Sequence, residues 1–422
     1  MIAVTTDSIV PRDFWKLPDE WQWISLNEVA PRDSRTAQPS DTPNQMVIYL
    51  GLENVEQGQW TEAEYQNVLG QEIRSSCIIF DRFHVLYGKL RPYLNKVVLP
   101  DRQGFGSTEW VPLRPDQGRL DRKYLAWFLR SPSFVAYASR NVTGARMPRA
   151  RMDVVLEAPV PIPFPFNPKK SLDIQQRIVA RIEALLAEVR SSRELLDEMR
   201  RDCDRITNVS LEQVFQKIAT EYESESLDNG HLQCLTSGSR GWSKYANQSN
   251  VGPLFIRVGN VGFSHVDLTG IEQLNLPPNL GEVERTRVSP GDVLVTITGT
   301  IGRCCVAPHD LEEAYINQHV ALIRLEDDLD PRYLMWFILS PSGGGAQTAA
   351  MQYGQTKPGL SLTNIRNLQL PIPSKTFQRQ IVSYLDSIQS EADKMLELMD
   401  QDAKTLDLLE QSILERAFRG EL

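Results

Sequence analysis

Two stretches of the chain place apolar residues at alternating three- and four-residue steps, with almost no glycine or proline between them. The first runs through Ile178, Ile182, Leu185, Val189, Leu196, Met199, Cys203 and Ile206, broken by Ser192. The second runs through Ile381, Leu385, Ile388, Ala392, Met395, Met399, Leu406, Leu409 and Ile413, broken by Asp402. Seams of this period predict two long helices in a coiled coil. Within the chain, each seam has only its twin as a long partner. A folded segment between them favours antiparallel pairing about a pseudo-twofold axis, with one domain at each end, while pairing between two copies of the chain stays open.

Ahead of each seam the pattern changes. Val47–Leu52, His84–Tyr87, Asn95–Leu99, Phe255–Val258, Val293–Ile297 and His319–Leu325 are short apolar or β-branched runs bounded by Gly, Pro, Asn and Asp, which predicts strands. One helix interrupts them in each copy. Asp121 and Asp330 are its expected N-caps, Tyr124, Leu125, Trp127 and Phe128 (Tyr333, Leu334, Trp336 and Phe337 in the other) its apolar face, and Ser-Pro its end. These aromatics are read as core.

The two halves are a duplication. Leu120–Pro132 and Leu329–Pro341 are identical at eight of thirteen positions. Pro161-Ile162-Pro163 answers to Pro371-Ile372-Pro373, Gln175–Val179 to Gln378–Val382, Tyr49–Val55 to Ile256–Val261, and His84–Tyr87 to Asp292–Val295, always in the same order. The expected organisation is α+β: strand-rich domains over 1–168 and 220–374, and long helices over 169–219 and 375–422.

Composition narrows the chemistry. The five cysteines include no Cys-x-x-Cys pair and there are only five histidines, which predicts a reduced chain without a zinc site. No basic n-region leads into an apolar run and no stretch of about 18 apolar residues occurs, so a cytoplasmic protein is expected. The net charge of −9 argues alone against nucleic acid. Its distribution does not: Thr376–Leu422 carries ten acids against five bases, whereas Arg140–Arg151 holds four arginines and no acid, and Asp81–Arg102 includes Arg82, Lys89, Arg91, Lys96 and Arg102. No Walker A phosphate loop follows Gly88-Lys89, and Pro277-Pro278 does not lie in a loop of the Asp/Asn-Pro-Pro-Tyr kind. Neither a Gly-x-Gly-x-x-Gly fingerprint nor a Glu-x-Lys triplet is found. His84 and His319 lack a companion nucleophile and are read as structural. The expectation is a chain with no catalytic residue, no metal site and no cofactor of its own.

The paired PIP…QQRIV and PIP…QRQIV junctions, the entry Trp15–Ala30, the strand-loop His84–Val98 and the ending Ile413–Leu422 together resemble the specificity (S) subunits of type I restriction-modification systems. The resemblance covers nearly the whole chain. It implies two target-recognition domains, each reading half of a bipartite double-stranded DNA site, and two helices that fix their spacing. It also implies two modification (methyltransferase) subunits and restriction/translocase subunits as partners, which would bind S-adenosylmethionine, ATP and Mg. Halves about 34–36 Å apart would present one face of the duplex to both readers.

Donor-bearing loops supply the candidate DNA contacts. In the first domain these are Lys89, Arg91, Tyr93, Asn95, Lys96, Arg140, Arg146, Arg149 and Arg151. In the second they are Arg257, Asn260, Thr298, Thr300, Arg303, Gln355, Thr356, Lys357 and Asn364. Arginine and lysine suit phosphate or guanine, and asparagine suits adenine. The matched junctions are expected to serve partner docking and spacing. Two other readings stay open: a target-reading subunit of a different modification or phage-defence system, and a coiled-coil scaffold whose domains bind protein.

Overall fold

The alternating apolar runs form short strands, and the two seams form helices of 54 and 44 residues. The computed structural model describes residues 14–57, 63–247, 251–277, 283–353 and 359–422. The first copy contributes β1 (Trp21–Ser25), α1 (Leu26–Val29), β2 (Thr36–Ala37), β3 (Met46–Leu50), β4 (Gln66–Leu69), β5 (Cys77–Phe80), β6 (Val85–Gly88), β7 (Val97–Val98), β8 (Gly104–Gly106) and β9 (Trp110–Leu113). It continues with α2 (Arg122–Arg130), α3 (Pro132–Arg140), β10 (Val142–Thr143), β11 (Arg149–Ala150), α4 (Met152–Val155), β12 (Pro159–Pro163) and the long α5 (Pro168–Glu221). The second contributes β13 (Ser224–Ser226), β14 (Leu232–Ser237), β15 (Ala246–Asn247), β16 (Leu254–Ile256), β17 (Glu272–Leu274), α6 (Val283–Thr286), β18 (Val293–Thr296), β19 (Cys304–Val306), β20 (Ala314–Ile316) and β21 (Val320–Leu325). It ends with α7 (Pro331–Leu339), α8 (Gly344–Ala350), α9 (Leu362–Arg366), β22 (Gln369–Pro371) and the long α10 (Lys375–Phe418). The chain divides into two units, Met1–Leu196 with Gln401–Leu422, and Asp197–Asp400. Each contains one strand-rich domain and a portion of both long helices. Among the described residues no helix is long and apolar enough to cross a membrane.

Strand order repeats between the units. In the first, β3 pairs in parallel with β8 inside the sheet β2-β5-β8-β3-β4, beside the antiparallel sheet β7-β6-β9. In the second, β16 pairs in parallel with β20 inside β15-β17-β16-β20, and β19-β18-β21-β14 is the antiparallel partner. The Pro-Ile-Pro segments are strands β12 and β22, paired antiparallel with β1 and β13.

The residues shared by the two copies are explained by buried hydrogen bonds. Asp121 caps α2 by accepting from the backbone N–H groups of Lys123 (2.8 Å) and Tyr124 (3.0 Å), and Asp330 does the same for Arg332 and Tyr333 of α7. The backbone N–H of each cap residue donates in turn to a fully buried glutamine of the following long helix: Asp121 to Gln175 Oε1 (2.8 Å) and Asp330 to Gln378 Oε1 (2.7 Å). The Tyr124 hydroxyl donates to Pro161 O (2.8 Å), and that of Tyr333 to Pro371 O (2.7 Å). Ser-Pro does more than end a helix in the first copy. Ser131 closes α2 and caps α3, with Pro132 at the first helical position, where a missing N–H costs nothing.

The long helices run antiparallel within each unit. In the first unit Arg193 pairs with Asp407 and Glu410, both at 2.8 Å, and in the second Arg200 pairs with Asp400. The buried face departs from the expected seam. Ile178, Ile182, Val189 and Cys203 are buried, as are Ile381, Leu385, Ala392, Met399 and Ile413, but Met199, Ile206, Met395 and Leu409 are 42–56% exposed. Val179, Leu186, Leu211, Phe215, Val382, Leu414, Ala417 and Phe418 are buried instead. Where a helix meets both its partner helix and a domain, the covered arc is wider than a two-position seam. Where only the other helix covers it, part of the seam stays in solvent. The helix C-termini supply the widest part: Phe418 packs edge-on against Tyr124 and Phe128 (5.1 and 5.3 Å between ring centroids) in the first unit. Phe215 packs against Tyr333 and Phe337 (both 5.5 Å) in the second. Leu-Glu-x-x-Phe at 211–215 and 414–418 is thus a further repeated element.

Candidate nucleic-acid interface

In the first unit the two basic loops are joined by backbone. After β6 the chain turns through Lys89–Lys96. Leu90 bridges Arg149, Arg91 N–H donates to Pro148 O (2.7 Å), and Ala150 N–H donates to Lys89 O (2.8 Å). The turn holds two residues with positive φ, Arg91 (50°) and Asn95 (51°), around a single 3-10 turn, Pro92–Leu94. Asparagine tolerates this conformation, whereas for arginine it costs about 1–2 kcal/mol, offset here by the bonds of its own backbone N–H and C=O. Asn95 Nδ2 donates to Arg130 O (3.2 Å), and Lys96 Nζ donates to Leu52 O (2.8 Å). Burial draws the Lys96 ammonium below its ordinary pKa, against the pull of Glu53.

These contacts sort the expected residues. Arg91, Tyr93 and Arg146 are exposed and Lys89 is half-buried, and among the described residues none of the three cations has an ion-pair partner. Arg140 is exposed in the last turn of α3. Arg149 is committed inward: its Nε and Nη2 donate to the Glu109 carboxylate at 2.9 and 2.7 Å, and this bond holds its pKa above the ordinary value. Arg151 pairs with Asp153 at 2.7 Å. Asn95 and Lys96 brace the loop.

The second unit repeats the arrangement with other side chains. After β18 the loop Ile297–Arg303 turns at Gly299 and Gly302, with φ of 78° and 83°. Thr298 bridges Gly359, and Leu360 N–H donates to Ile297 O (2.8 Å), matching the Leu90–Arg149 and Ala150–Lys89 contacts. Thr300 and Arg303 are exposed and Thr298 is half-buried, its hydroxyl 2.5 Å from His319 Nδ1. Arg257 pairs with Glu272. Asn260 is buried, accepting from Arg257 N–H (3.1 Å) and donating to Asp267 O (3.0 Å), which leaves little of its amide for a ligand. Asn54 closes the same turn in the first unit by accepting from Gly51 N–H. Asn364 accepts from Ser361 N–H and Oγ in the capping box of α9. Gln355, Thr356 and Lys357 lie outside the described residues.

Residue-type reasoning missed Glu109, because an acid within a basic loop cluster carries no motif. It set His319 aside as structural. His84 is fully buried between Asp81 and Asp33, and His319 is half-buried against the loop, bonded to Thr298 and Gln318.

Comparison with known proteins gives this arrangement a place. The family model for the type I restriction modification DNA specificity domain matches residues 264–398. A solved chain from work on the complex assembly and conformational transition of the type I R-M system is similar over 97% of this chain and 100% of its own, with 23% identity and a TM-score of 0.79. The chain is similar to type I specificity subunits. Among these, the EcoKI specificity subunit of Escherichia coli (strain K12) is 25% identical over 338 residues, 77% of this chain and 70% of that protein. The EcoDI specificity subunit of Escherichia coli is 25% identical over 213 residues, 50% of this chain and 45% of that protein. The EcoBI subunit reaches 26% over 275 residues, 59% and 56% of the two chains. The chain therefore spans about half the length of these last two relatives. The HsdS subunit from Thermoanaerobacter tengcongensis shares the fold, with a TM-score of 0.60, 24% identity and coverage of 97% and 99%.

Proposed function

We propose that this chain is a specificity subunit that binds double-stranded DNA sequence-specifically, each unit reading one half of a bipartite target, and that it directs partner methyltransferase and restriction subunits there. The observation carrying this is the recurrence of one two-loop ledge in both units, on matched backbone bonds but with different exposed side chains. A reader of two unlike half-sites needs a constant support and variable tips. Lys89, Arg91, Tyr93 and Arg146 are the first unit's outward contacts, with Thr298, Thr300 and Arg303 in the second. Two copies of the modification subunit would dock on the repeated elements, and apolar helix positions such as Leu195, Leu398 and Leu408, each more than half exposed, support a protein partner. S-adenosylmethionine, ATP and Mg would be held by those partners, in the cytoplasm, and this chain would supply no catalytic group.

Methylome mapping of cells with and without the gene tests the reading. Loss of one bipartite modified motif, together with recovery of an adenine methyltransferase on the tagged chain, is the expected result. An unchanged methylome and no sequence-specific footprint in the presence of the natural partners would leave a protein-binding scaffold as the better reading.

A further inference from the structure

One position in each unit sits beneath the paired loops, on matched backbone, with chemistry that differs completely. In the first unit Lys89 N–H donates to Glu109 O (3.0 Å), one residue before β9 begins at Trp110. In the second, Ile297 N–H donates to His319 O (3.0 Å), one residue before β21 begins at Val320. The next bond outward is also the same, Ala150 N–H to Lys89 O and Leu360 N–H to Ile297 O. Glu109 and His319 are therefore equivalent stations of the duplicated fold.

We propose that this station is a specificity-determining position in each half-site reader, an inference that rests on the DNA-reading function above. A carboxylate on a surface that meets phosphates is repelled by them, so its presence needs a compensating role. The Glu109 side chain is only 20% exposed, and the Arg149 guanidinium neutralises and orients it through 2.7 and 2.9 Å bonds. An ionised carboxylate accepts about four hydrogen bonds and donates none, so lone pairs remain for a ligand. Among groups on the major-groove edges of base pairs, only the amino groups of cytosine and adenine donate, and acidic side chains suit cytosine N4. Glu109 thus selects an amino-bearing base, cytosine foremost, and rejects an acceptor edge.

His319 offers a different surface. The Thr298 hydroxyl lies 2.5 Å from its Nδ1 and the Gln318 amide 3.0 Å from its Nε2, so a hydrogen-bonded hydroxyl, ring and amide stand at the corresponding place. Among the described residues no arginine pairs with it, and the position equivalent to Arg149 is Gly359. The second unit therefore does not impose the cytosine preference of the first.

The test uses the full chain assembled with its methyltransferase partner and a library of randomised DNA targets, sequenced before and after selection. Glu109→Gln keeps the side-chain volume and a bond to Arg149 but adds a donor. It should lower the preference at one base pair of one half-site by about tenfold or more, leaving the other half-site unchanged. His319→Gln should alter preference in the other half-site alone. If the Glu109→Gln complex does not assemble, Arg149→Lys decides the same point, since it loosens the carboxylate without removing charge: a shift at a single base pair supports the proposal. Uniform weakening with every preference intact would overturn it, making the station a brace only. A wild-type complex with no sequence preference would sink the DNA-reading function and this assignment together.

Discussion

The two units share a frame and differ in what the frame presents. Asp121, Tyr124, Pro161 and Gln175 in the first make the same cap-to-glutamine and tyrosine-to-proline bonds as Asp330, Tyr333, Pro371 and Gln378 in the second. At the loop tips nothing corresponds so closely. Lys89, Arg91 and Arg146 in the first have as counterparts Thr298, Thr300 and Arg303 in the second, and the Arg149–Glu109 pair has the Thr298–His319 contact. Identity between the copies therefore marks buried hydrogen bonding and packing, and divergence marks the exposed loop tips that the proposed reading assigns to DNA. The matched junctions proposed to dock partners also carry the internal Gln175 and Gln378 networks.

The strongest way to break the equivalence is to remove the helix-terminal aromatics. Phe418 and Phe215 are almost fully buried against the tyrosine and phenylalanine of α2 and α7. Phe418→Ala and Phe215→Ala should each destabilise by about 3–5 kcal/mol, measured by denaturant unfolding of the full chain. A large loss from one and a negligible loss from the other would show that the two domains are anchored by different means.

The buried glutamines come next. Gln175 Nε2 donates to Arg119 O and Ser171 Oγ, and Gln378 Nε2 to Asp328 O and Pro373 O, while both Oε1 atoms satisfy a cap N–H. Alanine at either position strands buried polar groups and should cost about 1–3 kcal/mol, by the same unfolding measurement. Equal losses would sharpen the equivalence, and a neutral Gln175→Ala would mean that water replaces the amide.

Much of this frame was legible in the sequence, because duplication writes a fixed set of contacts twice. The Asp caps, the aromatic faces and the strand runs all carry local patterns that survive without knowledge of neighbours. What stayed hidden depends on distant partners. Leu-Glu-x-x-Phe at 211–215 and 414–418 reads as ordinary helix until Phe418 is seen against Tyr124, nearly three hundred residues away in the chain. Glu109 lacks any signal until Arg149 bonds to it. The seams misled at Met199, Ile206, Met395 and Leu409 because period alone does not say which portion of a helix has a second neighbour.

At the loops the expected effects are on binding. Arg146 lies exposed at the tip between β10 and β11 and has no ion-pair partner among the described residues. Arg146→Ala should weaken DNA binding by the assembled complex a few-fold at every sequence and lower the salt slope by about one, with partner assembly intact. Adding Arg149→Ala should cost more than its charge alone, since it leaves the Glu109 carboxylate unneutralised at the ledge. Titration at several salt concentrations separates the two, and binding unaffected by the double change would remove this loop from the interface.

The smallest effect is expected where the helices carry charge. Arg193 is 41% exposed, and its partners Asp407 and Glu410 are 67% and 30% exposed. Water screens such pairs and ordering long side chains opposes them, so Arg193→Ala should cost below about 1 kcal/mol, falling towards zero in about 1 M salt. Arg200→Ala, which removes the bond to Asp400 in the other unit, should behave alike. Unfolding at low and high salt measures both. A loss approaching that of Phe418→Ala would mean that charge, rather than the buried apolar face, fixes the antiparallel register of the helices. The same would then hold in both units, since each carries such an interhelical arginine.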